Sequence, residues 1–249
     1  MKKTILEVCV DSMESAIAAA RGGADRLELC SNLIIGGTTP DIHLYECIRR
    51  EIGIPVRALI RPRFGDFYYS AYEYEIMKGN ITDFRKAGAE GVVIGCLDQN
   101  GALHRAQMEG LITCAAGMKV TLHRAFDVCK NPMETLREAE ALGIDTILTS
   151  GQANNCMNGM TLLEQLLREC DENLTIMPGA GINSDNIGTI ANGLHARAYH
   201  MSGKKVIQSE MQYRRENVPM GLPGFDEYEI WRTDEEEIRK ARLQLDAIG

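Results

Sequence analysis

The stretch Gly22-Gly23-Ala24-Asp25-Arg26-Leu27-Glu28-Leu29-Cys30 joins the end of a predicted helix to the strand that follows it. Glycine commonly ends helices because it adopts the left-handed conformation without steric cost. The alternation of Leu27 and Leu29 with other residues is typical of a strand. The same turn returns at Ala87-Gly88-Ala89-Glu90 and at Leu142-Gly143-Ile144-Asp145. This repeated turn predicts a chain built from successive strand–helix units.

On both sides of these turns, short β-branched runs alternate with longer amphipathic stretches. The strands are predicted at 4–10, 25–30, 55–61, 91–96, 118–124, 145–150, 174–178 and 196–201. The helices are predicted near 12–22, 41–52, 73–87, 105–116, 132–142, 159–171, 184–191 and 233–247. Strict alternation favours a parallel sheet, and eight repeats within 249 residues favour its closure into a ring. The sequence therefore predicts an α/β fold, a single (β/α)₈ TIM barrel over residues 1–249.

A long segment after strand eight interrupts this pattern. Residues 202–232 contain Pro219, Gly221, Pro223 and Gly224 and carry no helical periodicity. Unstructured loops of this length are uncommon inside compact domains. We expect residues 202–232 to form an irregular loop or lid, an oligomer contact, a partly disordered stretch or a decorated surface loop.

Composition narrows the classes of partner. The net charge is −8 and no basic block occurs, so a nucleic-acid partner is not expected. No apolar run reaches the roughly 18 residues of a membrane span, and Glu7 interrupts any secretory signal at the N-terminus. The eight cysteines form no CxxC pair, and so large a core needs no disulfides. Reduced thiols and a cytoplasmic location are expected.

Strand parity predicts which side chains point into the barrel, because successive residues of a strand face opposite sides. In strand one, Leu6 and Val8 share the helix-covered face, so Glu7 and Cys9 point inward. The same reasoning assigns inward positions near the strand ends to Glu28, Cys30, Arg61, His123 and His200. Active sites of this fold lie at that mouth. For deeper residues such as Glu7, a salt-bridge layer without a ligand is an open alternative.

The loops after the strands add anion-binding candidates. Arg61-Pro62-Arg63 is a suitable clamp for a carboxylate or phosphate, although it also fits an ion pair with Asp66. His123 with the nearby Asp127 suits acid–base work, or simply a hydrogen-bonded core histidine. Glycines after strand seven and the loop after strand eight resemble the phosphate site of this fold. The further candidates for contact with an anion are Arg124, Ser150, Gly179, Gly181 and Ser202.

Cys9 and Cys30 occupy similar heights on neighbouring strands, which lie about 4.8 Å apart in a sheet. Two thiolates suit Cu(I) better than zinc, which takes about four ligands. Buried cysteines are also common as small apolar residues, so packing alone is the competing interpretation.

Many of these motifs together resemble the CutC family of copper homeostasis proteins. The resemblance covers about residues 4–202 and rests on Leu6-Glu7-Val8-Cys9, Gly22–Ser31, Gly36–Pro40, Ile60–Arg63, His123–Asp127 and Leu148–Gly151. It implies a (β/α)₈ barrel, a cytoplasmic location and Cu(I) binding at Cys9 and Cys30. Gly179-Ala180-Gly181 and Tyr199-His200-Met201-Ser202-Gly203 depart from the expected family pattern and affect only the anion site.

Three functions remain open at this stage. One is copper homeostasis with Cu(I) held by Cys9 and Cys30. Another is an enzyme acting on a small phosphate or carboxylate, with its arginines and glycine loops holding the anion. In that enzyme, catalytic roles fall to Glu7, Glu28, His123, Asp127 and His200. The third is a scaffold that acts through residues 202–232. A homodimer or higher homo-oligomer is expected in each case.

Overall fold

The computed structural model describes residues 3–215, 217–218, 220–221 and 224–248. Eight parallel strands alternate with helices and form a nearly closed TIM barrel, as the sequence predicted. The strands are β1 (Ile5–Val10), β2 (Arg26–Leu29), β3 (Val56–Leu59), β4 (Gly91–Ile94), β5 (Lys119–Leu122), β6 (Thr146–Thr149), β7 (Thr175–Pro178) and β8 (Ala198–Met201). The ladder runs β7-β6-β5-β4-β3-β2-β1-β8, and β7 lies beside β8 to complete the ring.

Within the described residues, eight α-helices surround this ring. They are α1 (Met13–Gly22), α2 (Ile42–Glu51), α3 (Ala71–Lys86), α4 (Arg105–Cys114), α5 (Pro132–Ala141), α6 (Met160–Glu169), α7 (Ile187–Leu194) and α8 (Glu235–Asp246). The glycine turn after α1 ends the helix as the sequence predicted. Gly23 adopts a left-handed φ of 98°, and its N–H caps the last carbonyls of α1. Among the described residues, no helix is both long and apolar enough to cross a membrane.

Residue parity is confirmed along the strands. Leu6, Val8 and Val10 join the apolar layer between the strands and the helices. Inside the ring, Cys9 and Cys30 pack with Leu59 and Val93. Toward the N-terminal end of the strands the interior is polar. Arg57 there donates to Thr121 Oγ1 at 2.6 Å and to Asp145 Oδ1 at 3.0 Å.

The segment 202–232 is more ordered at its ends than an irregular loop. Its first part forms β9 (Lys204–Gln208), which pairs antiparallel with β10 (Glu229–Thr233). Thr233 N also donates to Ser15 Oγ at 3.1 Å, which fixes β10 to the start of α1. Residues 216, 219, 222 and 223 of this segment lie outside the described residues. The ends of the predicted loop therefore form a hairpin anchored beside the barrel mouth.

Candidate functional site

A cavity of about 430 Å³ opens at the C-terminal ends of the barrel strands. It collects side chains from most of the ring, because parallel strands deliver their C-terminal residues to one end of the barrel. The predicted site residues that line it are Cys9, Glu28, Cys30, Arg61, His123, Arg124, Gly181, His200 and Ser202. The sequence predicted that side chains from distant segments of the chain meet at this mouth, and the structure agrees.

Glu7 lies beneath this cavity and does not line it. Its carboxylate accepts from His200 Nδ1 at 2.8 Å and forms an ion pair with the Arg26 guanidinium. Burial alone would raise the pKa of Glu7, but Arg26 and His200 outweigh burial and lower this pKa to about 2. An ionised carboxylate only accepts hydrogen bonds, so His200 Nδ1 carries the shared proton. Glu7 therefore orients His200 and does not face a ligand.

Glu28 lies on the other side of the His200 ring. Its Oε2 is 3.6 Å from His200 Nε2, and the carboxyl is almost fully buried. Burial raises the pKa of Glu28 to about 7, against the effect of His200, and the neighbouring Glu7 carboxylate adds to the rise. For His200, burial opposes protonation, but Cys9, Glu7 and Glu28 together raise its pKa well above the usual value. Glu28 is thus the carboxyl of this site that can exchange a proton near neutral pH.

A possible metal-binding group is formed by Cys9 Sγ, a carboxylate oxygen of Glu28 and a ring nitrogen of His200. These donor atoms lie within 4.8 Å of one another, and all three residues are buried. Sulfur and imidazole nitrogen are ligands that Cu(I) accepts, whereas a carboxylate suits harder ions. The hydrogen bond from His200 to Glu7 is the usual support for a metal-binding imidazole. The sulfur and the imidazole nitrogen of this group fit Cu(I), and the carboxylate oxygen does not.

Cys30 is close to this group but is not one of its three members. It packs beside Cys9 inside the barrel, and its Sγ faces the Glu28 carbonyl oxygen at 4.0 Å. Burial, helped by Glu28 and Cys9, raises the pKa of the Cys30 thiol well above its ordinary value. Cys9 and Cys30 are therefore adjacent, as predicted. The structure also places His200 and Glu28 next to Cys9.

Arg61 is held at the cavity wall by loop carbonyl groups. Its Nη1 donates to Gly36 O at 3.1 Å and to Gly37 O at 3.0 Å, and its Nη2 donates to Gly65 O at 2.7 Å. The guanidinium also lies 5.0 Å from the centroid of the Phe67 ring. The Nη atoms of Arg61, which the sequence predicted to hold an anion, thus bind two loops instead. Only the Nε atom of Arg61 lacks a partner among the described residues.

His123 does not pair with Asp127, although the sequence suggested that a carboxylate could orient it. Its Nδ1 accepts the backbone N–H of Ala125 at 3.1 Å, and its ring packs on Phe67 with centroids 4.8 Å apart. Burial, together with the positive charge of Arg61, lowers the pKa of His123 to about 3. His123 is therefore neutral and lines the cavity as a hydrogen-bond donor rather than as a base.

Asp127 and Ser150 stabilise the loop after β6 through hydrogen bonds. Asp127 accepts the N–H of Ser150 at 3.0 Å and pairs with Arg124 Nε at 2.7 Å. The Ser150 hydroxyl donates to Ala153 O at 2.7 Å. The satisfied hydrogen bonds explain why neither residue lines the cavity. Arg124 alone of this group reaches it.

Arg63 and Gly179 are also outside the cavity lining. Arg63 turns away from the mouth and pairs with Glu73 at 2.6 Å and Asp66 at 3.0 Å, the ion pair that was its alternative interpretation. A Cβ placed on Gly179 would lie 2.6 Å from Leu148 Cδ1 and 3.3 Å from His200 Cβ. Gly179 therefore provides room for neighbouring side chains.

The hairpin contributes a wall that the sequence reasoning missed. Lys204, Trp231 and Arg232 line the cavity, and Lys204 Nζ lies 3.7 Å from the centroid of the Trp231 ring. Ile230, Trp231 and Thr233 are residue types that favour strands, and this composition was the available signal for β10. The missed residues make the rim of the cavity aromatic and positively charged.

Comparisons with known proteins agree with these observations. The model of the CutC family matches residues 4–205. The family protein CutC of Chromobacterium violaceum is 41% identical over 242 residues, which cover 97% of this chain and 98% of that protein. The human copper homeostasis protein cutC homolog is 39% identical over 236 residues, covering 94% of this chain and 86% of that protein.

A solved structure assigned to CutC from Streptococcus agalactiae shares the fold with a TM-score of 0.75 at 27% identity. The alignment covers 79% of this chain and 97% of that one. Fold, motifs and relatives agree over most of the sequence. The chain belongs to the CutC family, and its human relative carries the name copper homeostasis protein cutC homolog.

Proposed function

We propose that this chain binds one Cu(I) ion at the barrel mouth as a copper homeostasis protein. Cys9 Sγ and His200 Nε2 are the main ligands of this proposal, and the neighbouring Cys30 supplies a second sulfur. The pKa values of His200 and Cys30 are raised in the free protein, so copper binding displaces a proton from each of them. The observation that carries the proposal is the group of Cys9, Glu28 and His200, whose donor atoms lie within 4.8 Å of one another. Copper is the cargo of the site rather than a resident catalyst.

The surroundings support a site made for a soft ion. The ionised Glu7 accepts the hydrogen bond of His200 Nδ1–H, which directs Nε2 toward Cys9 and Glu28. The packing of Cys9 and Cys30 with Leu59 and Val93 shields the sulfurs from bulk water. All eight cysteines of the chain are free thiols, which supports our proposal of a reducing, cytoplasmic location.

Competition with a chromogenic Cu(I) chelator under anaerobic conditions tests this proposal. We expect Cys9→Ser and His200→Gln each to weaken Cu(I) binding by at least about tenfold, the loss typical of disturbed metal sites. The matched control is Cys47→Ser on α2, since Cys47 is half-buried and outside the cavity lining. The measured affinity of Cys30→Ser reports whether the second thiolate contributes. An unchanged affinity in the Cys9→Ser, Cys30→Ser double variant would overturn the proposal.

A second candidate function is the binding and conversion of a small anion. The cavity of about 430 Å³ exceeds the space that one ion occupies. Its described lining contains four arginine and lysine side chains, those of Arg61, Arg124, Lys204 and Arg232. Such clusters attract anions, and the protonation of Glu28 near neutral pH supports acid–base chemistry. A thermal shift screen with pyruvate, malonate and inorganic phosphate tests this candidate, and the absence of stabilisation by all three contradicts it.

We also propose that the chain forms a homodimer or higher homo-oligomer. The segment between β9 and β10 exposes several large apolar side chains, among them Met211, Tyr213 and Met220. Exposed apolar surface of this kind is typical of protein interfaces. Light scattering coupled to size-exclusion chromatography measures the state directly, and a monomer contradicts the proposal.

A further inference from the structure

His123 has one nitrogen whose hydrogen bond is not provided by the protein. Because Nδ1 accepts the N–H of Ala125, the proton of the neutral ring is on Nε2. His123 is only 4% exposed, and Nε2 has no partner among the described residues. Buried N–H groups are nearly always hydrogen-bonded, and leaving one without a partner is costly. The side chain lines the cavity, so a ligand bound there can supply the missing acceptor.

Arg61 places a positive charge beside this donor. Both of its Nη atoms are occupied by the carbonyls of Gly36, Gly37 and Gly65, and its buried Nε has no partner among the described residues. Arg61 and His123 both pack on the Phe67 ring, at 5.0 Å and 4.8 Å from its centroid. These contacts fix a guanidinium and a neutral imidazole on one wall of the cavity before any ligand arrives.

The charges beside His123 restrict the charge of the ligand. Arg61 is a buried cation, whereas the other arginine and lysine side chains of the lining are exposed or half-buried, so water screens the charges of Arg124, Lys204 and Arg232. Asp11 and Glu28 also face the cavity. A monoanion balances the charge of Arg61 and accepts from the neutral His123, while a second negative charge would add repulsion from the two acidic groups.

We infer that His123 Nε2–H and the Arg61 guanidinium together bind the carboxylate of a small monoanionic ligand. This inference rests on the second candidate function and names its ligand class. Binding at His123 is separate from the copper group, because His123 is not among the donors Cys9, Glu28 and His200. His123 is therefore a binding residue, which donates a hydrogen bond to a carboxylate oxygen of the ligand.

Pyruvate is the probe that tests this inference, with inorganic phosphate as the competing anion. Binding is measured by nuclear magnetic resonance of the side-chain nitrogens of the histidine-labelled full chain. We expect the free protein to show His123 as the neutral Nε2–H form, and pyruvate to shift that signal. His123→Phe fills similar space against Phe67 but has no donor, whereas the amide of His123→Gln keeps a donor near the Nε2 position. Pyruvate affinity should fall by about 10- to 100-fold in His123→Phe and stay within about threefold in His123→Gln.

The possible results distinguish failure of the anion-binding function from failure of the role assigned to His123. If pyruvate binds all three proteins equally, a monoanion site exists but His123 does not form it, and the inference is overturned. If phosphate binds at His123 and pyruvate does not, the assignment to a carboxylate is wrong. If neither anion binds the wild-type protein, the second candidate function fails together with this inference. Retained Cu(I) affinity in His123→Phe shows that the variant is folded and that the two sites are distinct.

Discussion

His200 on β8 donates its Nδ1 proton to Oε1 of Glu7 on the adjacent strand β1, at 2.8 Å. The two residues are 193 positions apart in the chain and meet because β1 pairs with β8 in the barrel. Glu7 also holds Arg26, the partner of Glu7 in the β1–β2 register. One carboxylate thus fixes the orientation of two cationic groups beneath the cavity.

Removal of the Glu7 carboxylate should be costly. Glu7→Ala leaves Arg26 buried without its counter-ion, and breaking a buried ion pair by deleting one partner typically costs about 3–5 kcal/mol. Urea unfolding of Glu7→Ala and of the wild-type protein measures this loss. Glu7→Gln is the matched control, since its amide oxygen still accepts a hydrogen bond, and we expect a smaller loss. A loss below about 1 kcal/mol in Glu7→Ala would show that the pair contributes no more than a surface ion pair.

Stability should depend on pH through His123. Its pKa is about 3 in the folded protein and 6.5 in the unfolded reference, so between these values only the unfolded chain binds the proton. Through His123 alone, stability therefore falls as the pH is lowered below 6.5, by at most about 1.4 kcal/mol per pH unit. Glu28 acts in the opposite direction, because its pKa is raised from 4.5 to about 7 in the folded protein. The effect of His123 is therefore measured as the difference between the wild-type protein and a His123 variant. Glu7, with its pKa lowered from 4.5 to about 2, adds a separate loss only below pH 4.5.

Urea midpoints from about pH 7.5 to about pH 4.5 check this dependence. His123→Phe should lose less stability than the wild-type protein as the pH falls through that window, by up to about 1.4 kcal/mol per pH unit, because the variant has no titrating group at this position. The exposed His195 provides the control, and His195→Asn should keep the wild-type slope. Parallel profiles for the wild-type protein and His123→Phe would mean that His123 titrates normally in the folded state.

The space beside His123 depends on Gly95. A Cβ at this position would lie 2.6 Å from His123 Cε1 and 3.0 Å from Ala125 Cβ. Overpacking of this kind typically costs about 1–3 kcal/mol, so we expect Gly95→Ala to destabilise the protein and weaken pyruvate binding.

Gly79 offers the opposite case on α3, where an added Cβ meets nothing within 4 Å. Alanine at an exposed helix interior should stabilise by about 0.5–1 kcal/mol. Thermal and urea unfolding of Gly95→Ala and Gly79→Ala measures the expected loss and the expected gain of stability. Equal effects of the two substitutions would contradict the tight contact between Gly95 and His123.

The sequence by itself determined the eight strand–helix units, the repeated turns and the face of each strand that points inward. These features are local, because backbone geometry alternates side chains along a strand and glycine ends a helix wherever the chain must turn. They were enough to place Cys9, Glu28, Arg61, His123 and His200 at one mouth.

Only the tertiary structure decided which of these side chains contact one another. Parity assigns a residue to a face but does not select its rotamer or its neighbour from a distant strand. For this reason Arg63 turns to Glu73, His123 accepts from Ala125 instead of pairing with Asp127, and Trp231 arrives from the hairpin. The pairing of β1 with β8 that joins Glu7 to His200 exists only once the ring has formed.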